Sequence, residues 1–487
     1  MKTKFRSLTT TALALGSALP ALAQYAPPPP LQPFPGFLNE YLRKSDPYYA
    51  NWDLSGSARL RYEVRENALG LPPANDFRAF GVDNDNNYLG TKILARVGYT
   101  EKWWSALVEG RSTIISGDSR EPSPEQDAPI DLHQAYVTLG NHKEFPVSLK
   151  VGRQELSYGD ERLVGAFAWN NIGRVFDAAK LRWQNAWFAA DAFTSKLVLP
   201  DDNSFNSWND YHVFSGLHLS TRQIPKNLSE LYFFARNDGL GSTTANPGAF
   251  PPFQVSAPAA RDIYTLGARF RSGTNEFGHF DYTVEGAYQF GNWKPGATSI
   301  RQEHEAYAFS ANVGYSFPDI WGTPRVALEY AYGSGDSSAT DTTHETFDNL
   351  YPTNHKFYGY MDFASWQNLS NVRGIVQLRP HPRVSLALEG HLFMLADTAD
   401  NFYNAGGVAR GGQGPTAGNG YGRNPGYDPY VGSEIDFIAG FTLTKFASLE
   451  AGYGHFFVGD YVQQTWSNPA FGAADADWFY ASLNLRF

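Results

Sequence analysis

The stretch FDYTVEGAYQF (280–290) decides the fold class, because apolar and polar residues alternate along its whole length. One face carries Phe280, Tyr282, Val284, Gly286, Tyr288 and Phe290, and the opposite face carries Asp281, Thr283, Glu285, Ala287 and Gln289. Successive side chains of a β-strand point to opposite sides of the sheet. The stretch therefore predicts a strand with one apolar and one polar face.

The same alternation recurs along most of the chain. It is clear in residues 54–65, 307–317 and 326–332, and the period-two criterion identifies about 18 such segments. They begin near residues 53, 88, 103, 131, 146, 175, 186, 211, 229, 262, 279, 304, 324, 368, 383, 434, 447 and 477. The connections between them alternate between long and short, from the long stretch 66–87 to the short turn 445–446.

This asymmetry of the connections is typical of an outer-membrane barrel, which has short periplasmic turns, long extracellular loops and an even strand number. The last segment ends at Phe487, and a final strand that ends in Phe resembles the insertion signal of bacterial outer-membrane barrels. We therefore expect an all-β fold, a transmembrane antiparallel β-barrel of about 18 strands in the outer membrane.

The composition excludes several other classes of protein. Of the 487 residues, 15% are aromatic and 18% are charged, a charged fraction below the roughly 25% usual for soluble domains. No stretch after the N-terminal region approaches about 18 consecutive apolar residues, so a helical membrane protein is excluded. The chain has no Cys, which excludes disulfides, thiolate-held metals and a thiol nucleophile.

The N-terminus predicts a secreted protein. Residues 1–23 carry Lys2, Lys4 and Arg6, then an apolar run, and close on the small residues Ala21 and Ala23, as in a cleaved signal peptide. Residues 24–51 form a Pro-rich periplasmic N-terminal segment, whose first part, Gln24 to Pro35, we expect to be an extended lead, and the barrel occupies 52–487. Because the formal net charge is −10, the chain is a poor binder of nucleic acid.

The polar face of the strands should line a pore. Assigning the faces strand by strand places more cations than acids inside the barrel, and rings of Arg and Lys in a pore select anions. The cations assigned to the lumen are Arg59, Arg61, Arg65, Lys92, Arg96, Arg111, Lys150, Lys180, Arg182, Arg236, Arg269, Arg271, Arg325, Arg373, Arg379 and Arg486. Loop acids such as Glu121 and Glu125 should act on the pore only weakly, because we expect them to be distant and screened by salt.

Four stretches carry a resemblance to a known family: LHQAYVTLG (132–140), GRQELSYGDERLVG (152–165), GRVFDAAKLRW (173–183) and GHFFVGDYV (454–462). They resemble the alginate export family of outer-membrane porins, and the resemblance spans about Trp52 to Phe487. It implies a monomeric 18-stranded barrel that passes an anionic uronate polysaccharide through an Arg-rich constriction. On this resemblance, Arg153 and Arg174 are the first constriction candidates, followed by Arg162, Arg182, Arg59 and Arg61.

One departure from the family concerns gating. The family architecture includes a long periplasmic turn near the C-terminus that plugs the pore, whereas this turn is here only Lys445 and Phe446. Any gating should then fall to the loops 333–367 and 396–433, of which the second is rich in Gly and should be mobile.

The alternatives to a uronate porin are a general or sugar-specific porin and, from another class, an outer-membrane hydrolase. We find no motif for a catalytic site, a metal site or a cofactor. The expected partners are the anionic polysaccharide, outer-membrane lipid and periplasmic secretion proteins, with no nucleic acid.

Overall fold

The computed structural model describes residues 34–68, 76–77, 84–120, 123–141, 144–201, 204–209, 211–239, 260–294, 299–338, 340–410, 421–466 and 472–487. The predicted signal peptide, the first part of the Pro-rich segment, Glu121 and residues 411–420 of the Gly-rich loop lie outside these residues.

The described residues form eighteen long antiparallel strands. In chain order they are β1 Trp52–Glu66, β2 Asn86–Thr100, β3 Trp104–Ser116, β4 Asp131–Leu139, β5 Val147–Gln154, β6 Phe176–Gln184, β7 Phe188–Leu199, β8 His212–Thr221, β9 Asn227–Asp238, β10 Ala260–Ser272, β11 Phe280–Lys294, β12 Gln302–Ser316, β13 Arg325–Gly333, β14 Leu369–His381, β15 Val384–Leu395, β16 Tyr430–Thr444, β17 Ala447–Val458 and β18 Ala476–Arg486. Two further strand pieces, Ser207–Trp208 and Thr343–His344, are only two residues long.

The sheet closes on itself. Each strand pairs with its neighbours in the chain, and β18 pairs with β1 in a register that runs from Ser57 opposite Arg486 to Glu66 opposite Asp477. Closure leaves no unpaired strand edge, which a lipid environment requires. The predicted barrel is confirmed, and the largest difference in a strand start is at β16, which begins at Tyr430 rather than near residue 434.

The connections follow the predicted alternation of long and short. The turn between β16 and β17 is only residues 445–446, whereas residues 334–368 join β13 to β14. The connection between β11 and β12 is shorter than predicted, because both strands continue the alternation further, to Lys294 and from Gln302.

The two faces of the strands separate as the alternation predicts. On β11 and β12, the side chains of Val284 and Val313 are 43% and 51% exposed on the outer surface, whereas Glu285 beside Val284 is 4% exposed and points inward. The interior is packed by loops, because Phe347, Tyr351, Tyr358 and Trp366 of the long 334–368 connection are all buried there. This connection lies inside the barrel and occupies part of its lumen.

The segment before β1 contains structure that the sequence did not predict. Helix α1 covers Phe37–Ser45, and a 3₁₀-helix at Pro47–Asn51 leads directly into β1. A second helix, α2 at Asp460–Thr465, follows β17. Neither helix is long and apolar enough to cross a membrane.

Candidate pore constriction

Residues 155–175, which we call the inward loop, connect β5 to β6 and fold into the lumen. Consecutive carbonyls of this loop face cations on the wall of the barrel. Arg59 donates to the Ala168 carbonyl (3.1 Å), Arg61 to Trp169 (2.6 Å), Lys92 to Asn170 (3.3 Å) and Arg111 to Ile172 (2.6 Å). These four wall residues, here named the cation row, lie on β1, β2 and β3 and hold the loop backbone against the wall.

Close contact between the inward loop and the wall depends on a glycine in β2. A Cβ atom at Gly90 would lie 2.5 Å from the Asn171 amide nitrogen and 3.1 Å from Ile115. Asn171 in turn accepts a 2.5 Å hydrogen bond from Arg59. A larger residue at position 90 would therefore push the tip of the inward loop away from the cation row.

Residues 334–368, here named the crossing loop, meet the inward loop inside the barrel. The Tyr351 amide donates to the Leu163 carbonyl (2.8 Å), and the Gly165 amide donates to the Tyr351 carbonyl (2.8 Å). A third bond joins the Thr353 amide to the Glu161 carbonyl (2.9 Å). The two loops thus form one continuous body across the lumen.

Two of the predicted arginines, Arg174 and Arg162, hold the inward loop to the crossing loop and to the wall. Arg174 donates to the carbonyls of Gly165 (3.1 Å), Tyr351 (2.7 Å) and Pro352 (2.8 Å), so it bridges both loops. Burial lowers the pKa of Arg174 to about 10, which still leaves the guanidinium charged at neutral pH. Arg162 forms a 2.7 Å ion pair with Glu329 on β13, which ties the inward loop to the wall opposite the cation row.

The crossing loop is also held by acids of the wall. Glu434 and Asp436 on β16 accept hydrogen bonds from the backbone amides of Met361 (2.9 Å) and Tyr360 (3.5 Å). At Gly359, where φ is +82°, an added Cβ would come within 2.4 Å of the Glu434 carboxylate. Carboxylates of β16 thus bind amides of the crossing loop, whereas arginines such as Arg174 bind its carbonyls.

Aromatic stacking completes the junction of the two loops. Trp169 of the inward loop stacks on His355 of the crossing loop, with ring centroids 4.0 Å apart and an interplanar angle of 13°. Arg61 lies 4.2 Å from the centroid of Trp169 on the wall side. A cation over an aromatic ring adds electrostatic attraction, so this stack joins the wall, the inward loop and the crossing loop.

Several of the predicted constriction residues are neutralised by carboxylates. Arg153 pairs with Asp177 at 2.9 Å, and Arg182 pairs with Asp191 at 3.0 Å. Arg61 is fully buried and contacts both Glu63 and Glu125 at 2.7 Å. The structure therefore brings Arg59, Arg61, Arg162 and Arg174 together on the loop body, whereas Arg153 and Arg182 lie on the neighbouring wall strands β5 and β6.

The expectation that loop acids lie far from the lumen is wrong for several of them. Glu125 reaches Arg61, Asp127 pairs with Arg111, and Asp160 of the inward loop pairs with Arg269 at 2.8 Å. The physical reason is that loops fill the lumen and bury the wall arginines, and a buried cation needs a partner. The acids of these loops are those partners.

Three cations of the wall strands have neutral partners among the described residues. Arg59 bonds to a carbonyl and an amide oxygen, Lys92 bonds to the Asn170 carbonyl, and the Lys150 ammonium lies 3.5 Å from the centroid of the Tyr136 ring. Arg59 and Lys92 are directly opposite each other in the β1–β2 register. Lys92 and Lys150 were among the cations assigned to the lumen from the sequence, but they were not among the predicted constriction residues. The alternation of inner and outer faces, combined with the pairing of neighbouring strands, is the sequence signal that could have identified them.

Solved outer-membrane porins of Pseudomonas aeruginosa share the fold of this chain. OpdQ matches with a TM-score of 0.52 and 12% identity, covering 90% of this chain and 97% of its own. OccD3 (OpdP) matches with a TM-score of 0.51 and 10% identity, covering 90% and 91%. OccK2 (OpdF) in complex with glucuronate matches with a TM-score of 0.50 and 11% identity, covering 89% and 98%. No curated protein matches the chain.

The family comparison agrees with the fold. The alginate export family matches residues 51–470, which include every barrel strand except the last. Family and fold together indicate an outer-membrane channel, not an enzyme. The chain belongs to the alginate export family.

Proposed function

We propose that this channel passes an anionic uronate polysaccharide, or its oligomers, along the cationic wall of its lumen. The observation that carries the proposal is the group of three cations with neutral partners, Arg59, Lys92 and Lys150. None of the three has a carboxylate partner among the described residues, and a passing carboxylate would be a stronger acceptor than the carbonyl oxygens and the ring that they now contact.

The position of these residues supports the same proposal. Arg59 and Lys92 lie side by side at the inward loop, where the loop body narrows the lumen. Lys150 lies on β5 directly opposite Lys180 of β6, so the cationic surface continues beyond the loop. A polymer with one carboxylate on each sugar would find successive cations along this wall.

The comparisons add independent support. Membership of the alginate export family favours a uronate polymer as cargo, and one porin of similar fold, OccK2, is known in complex with glucuronate, a single uronate sugar.

A second candidate function, a general or sugar-specific porin, is favoured by the ion pairs of the lumen. Arg61, Arg153, Arg162 and Arg182 all have carboxylate partners within 3.0 Å. If such pairs neutralise the lumen as a whole, the pore would show no preference for anions.

Charge neutralisation at the three cations distinguishes the two candidates. The variant Arg59→Gln/Lys92→Gln/Lys150→Gln keeps a hydrogen-bond donor at each position while removing three charges. In planar bilayers we expect its reversal potential to shift away from anion selectivity. We expect polyuronate block to weaken by about tenfold or more, since each contact between charges contributes roughly 0.5–1 kcal/mol.

The matched control is Arg383→Gln, which removes the charge of an exposed residue in the short turn between β14 and β15. It should leave both the reversal potential and the block unchanged. If the triple variant also behaves like the unmodified pore, the uronate proposal fails and the general porin takes its place.

A further inference from the structure

Helix α1 exposes its apolar face and buries a polar one, which is the reverse of a surface helix in a soluble protein. Phe37, Leu38 and Tyr41 have exposed side chains, at 54%, 36% and 69%, whereas Asn39 on the other side of the helix is buried at 2%. An amphipathic helix normally buries its apolar face. Here a polar face meets the start of β1, while the apolar face stays largely exposed and touches the protein only at Phe37.

Polar contacts fix this orientation. The Asn39 side chain donates to the Asp53 carboxylate (2.8 Å) and accepts from the Leu54 amide (3.2 Å). Arg43, one turn further along, donates to the Trp52 carbonyl at 2.6 Å. All three partners belong to the start of β1, so the barrel itself holds the apolar face of α1 outward.

That apolar face continues the aromatic belt of the barrel at its periplasmic end. Beyond α1, the ring of Tyr48 lies 6.5 Å from that of Trp52, and Trp52 lies 4.9 Å from Tyr99. Tyr99 in turn lies 5.7 Å from Trp104, which is 41% exposed on the outer face beside the short turn between β2 and β3. These rings form an unbroken path from the N-terminal segment to the lipid-facing wall.

The first turn of α1 contacts further aromatic residues of the wall, close to the junction of β1 and β18. The Phe37 ring lies 6.2 Å from Phe446 in the turn between β16 and β17, and 6.4 Å from the C-terminal Phe487. Glu40 forms an ion pair with Lys445 of that turn. The helix therefore lies at the rim where β1 meets β18, with aromatic contacts to the wall from Phe37 at its start and from Tyr48 just after its end.

We propose that the exposed face of α1 inserts into the phospholipid headgroup layer of the periplasmic leaflet and anchors the N-terminal segment there. Aromatic and aliphatic residues favour this interface, where one end of each ring stays hydrated. Lys44 lies at the edge of the face, with its side chain 77% exposed and 3.6 Å from Glu40 of the same helix, and a cation in this position can contact lipid phosphates, as cations of interfacial helices do. The occupant is thus phospholipid, on continuity with the lipid-facing belt. This inference needs the barrel in its membrane but not the uronate cargo.

Spin labelling tests the proposal directly, because the chain has no native Cys. Leu38→Cys and Tyr41→Cys, each carrying a nitroxide, are placed in vesicles of phosphatidylethanolamine and phosphatidylglycerol in the full-length mature protein. Val313→Cys on the outer wall is the lipid reference, and Thr342→Cys, exposed in the crossing loop, is the water reference. The readout is the ratio of collisions with oxygen to collisions with a water-soluble nickel chelate.

We expect both α1 labels to give ratios nearer the lipid reference, with nickel collisions several-fold rarer than at Thr342. Ratios nearer the water reference at both sites would overturn the proposal and favour a periplasmic protein as the partner of this face. A labelled variant that does not fold is replaced by Phe37→Cys, which is 54% exposed on the same face of α1.

Discussion

Replacing Val284 by Arg should strongly destabilise the inserted barrel, because the side chain faces lipid close to the middle of the membrane. Val284 lies four residues beyond Phe280, where β11 leaves its periplasmic turn. A tilted barrel strand climbs about 2.5 Å along the membrane normal for each residue, which places Val284 about 10 Å above that turn. Since the apolar band is about 25 Å tall, this position is near the midplane.

The expected cost follows from that depth. Arg on the lipid face near the midplane costs about 2–4 kcal/mol, which corresponds to a loss of about 30- to 800-fold in the folding equilibrium constant. Thr283→Arg is the matched control, since the same substitution one residue earlier points the cation into the lumen beside Asn312. We expect it to cost less than about 1 kcal/mol.

Guanidinium titrations of folding into lipid vesicles, followed by tryptophan fluorescence, measure both free energies of unfolding. Heat-modifiable migration on gels confirms that each variant reaches the folded barrel. Equal costs at positions 283 and 284 would refute the assignment of inner and outer faces on β11, and with it the placement of the lumen residues on that strand.

Three further predictions follow from the loops that fill the lumen. Glu125→Gln should shift the reversal potential further toward anions, because it removes one of the carboxylates that neutralise Arg61; an unchanged potential would show that Glu125 does not act on the pore. Arg162→Met should raise single-channel conductance by releasing the inward loop from Glu329, and conductance equal to the unmodified pore would contradict that role. Burial raises the pKa of Asp336 to about 6, so the folded loop favours the neutral acid. Protection of the crossing loop from hydrogen exchange, corrected for intrinsic rates, should rise as pH falls from 7 to 5, and Asp336→Asn should abolish that dependence.

The strands of this protein could be predicted from sequence because their signal is local. Val284 faces the lipid and Glu285 faces the lumen, so the two residues differ in polarity. This difference between adjacent positions is visible in the sequence itself. The alternation of short and long connections added an independent constraint, so strand number and closure followed without any knowledge of distant contacts.

The interior of the lumen could not be predicted in the same way. The contact between Arg61 and Glu125 joins residues 64 positions apart, and that between Arg162 and Tyr358 spans 196. Such contacts leave no period in the sequence, so loops that fold inward look the same as loops that extend into solvent. Helix α1 was not predicted for another reason. Its buried residue is the polar Asn39 and its apolar residues are exposed, so it lacks the buried apolar face by which a helix is recognised.

The ion selectivity of the unmodified pore tests the central proposal most directly. The net charge of −10 would by itself predict cation preference, whereas the cations Arg59, Lys92 and Lys150, which have neutral partners, predict the opposite. Reversal potentials under a potassium chloride gradient in planar bilayers, followed by addition of polyuronate to one side, decide between them. We predict anion preference and concentration-dependent block by polyuronate. A cation-selective pore that polyuronate leaves open would contradict the proposal.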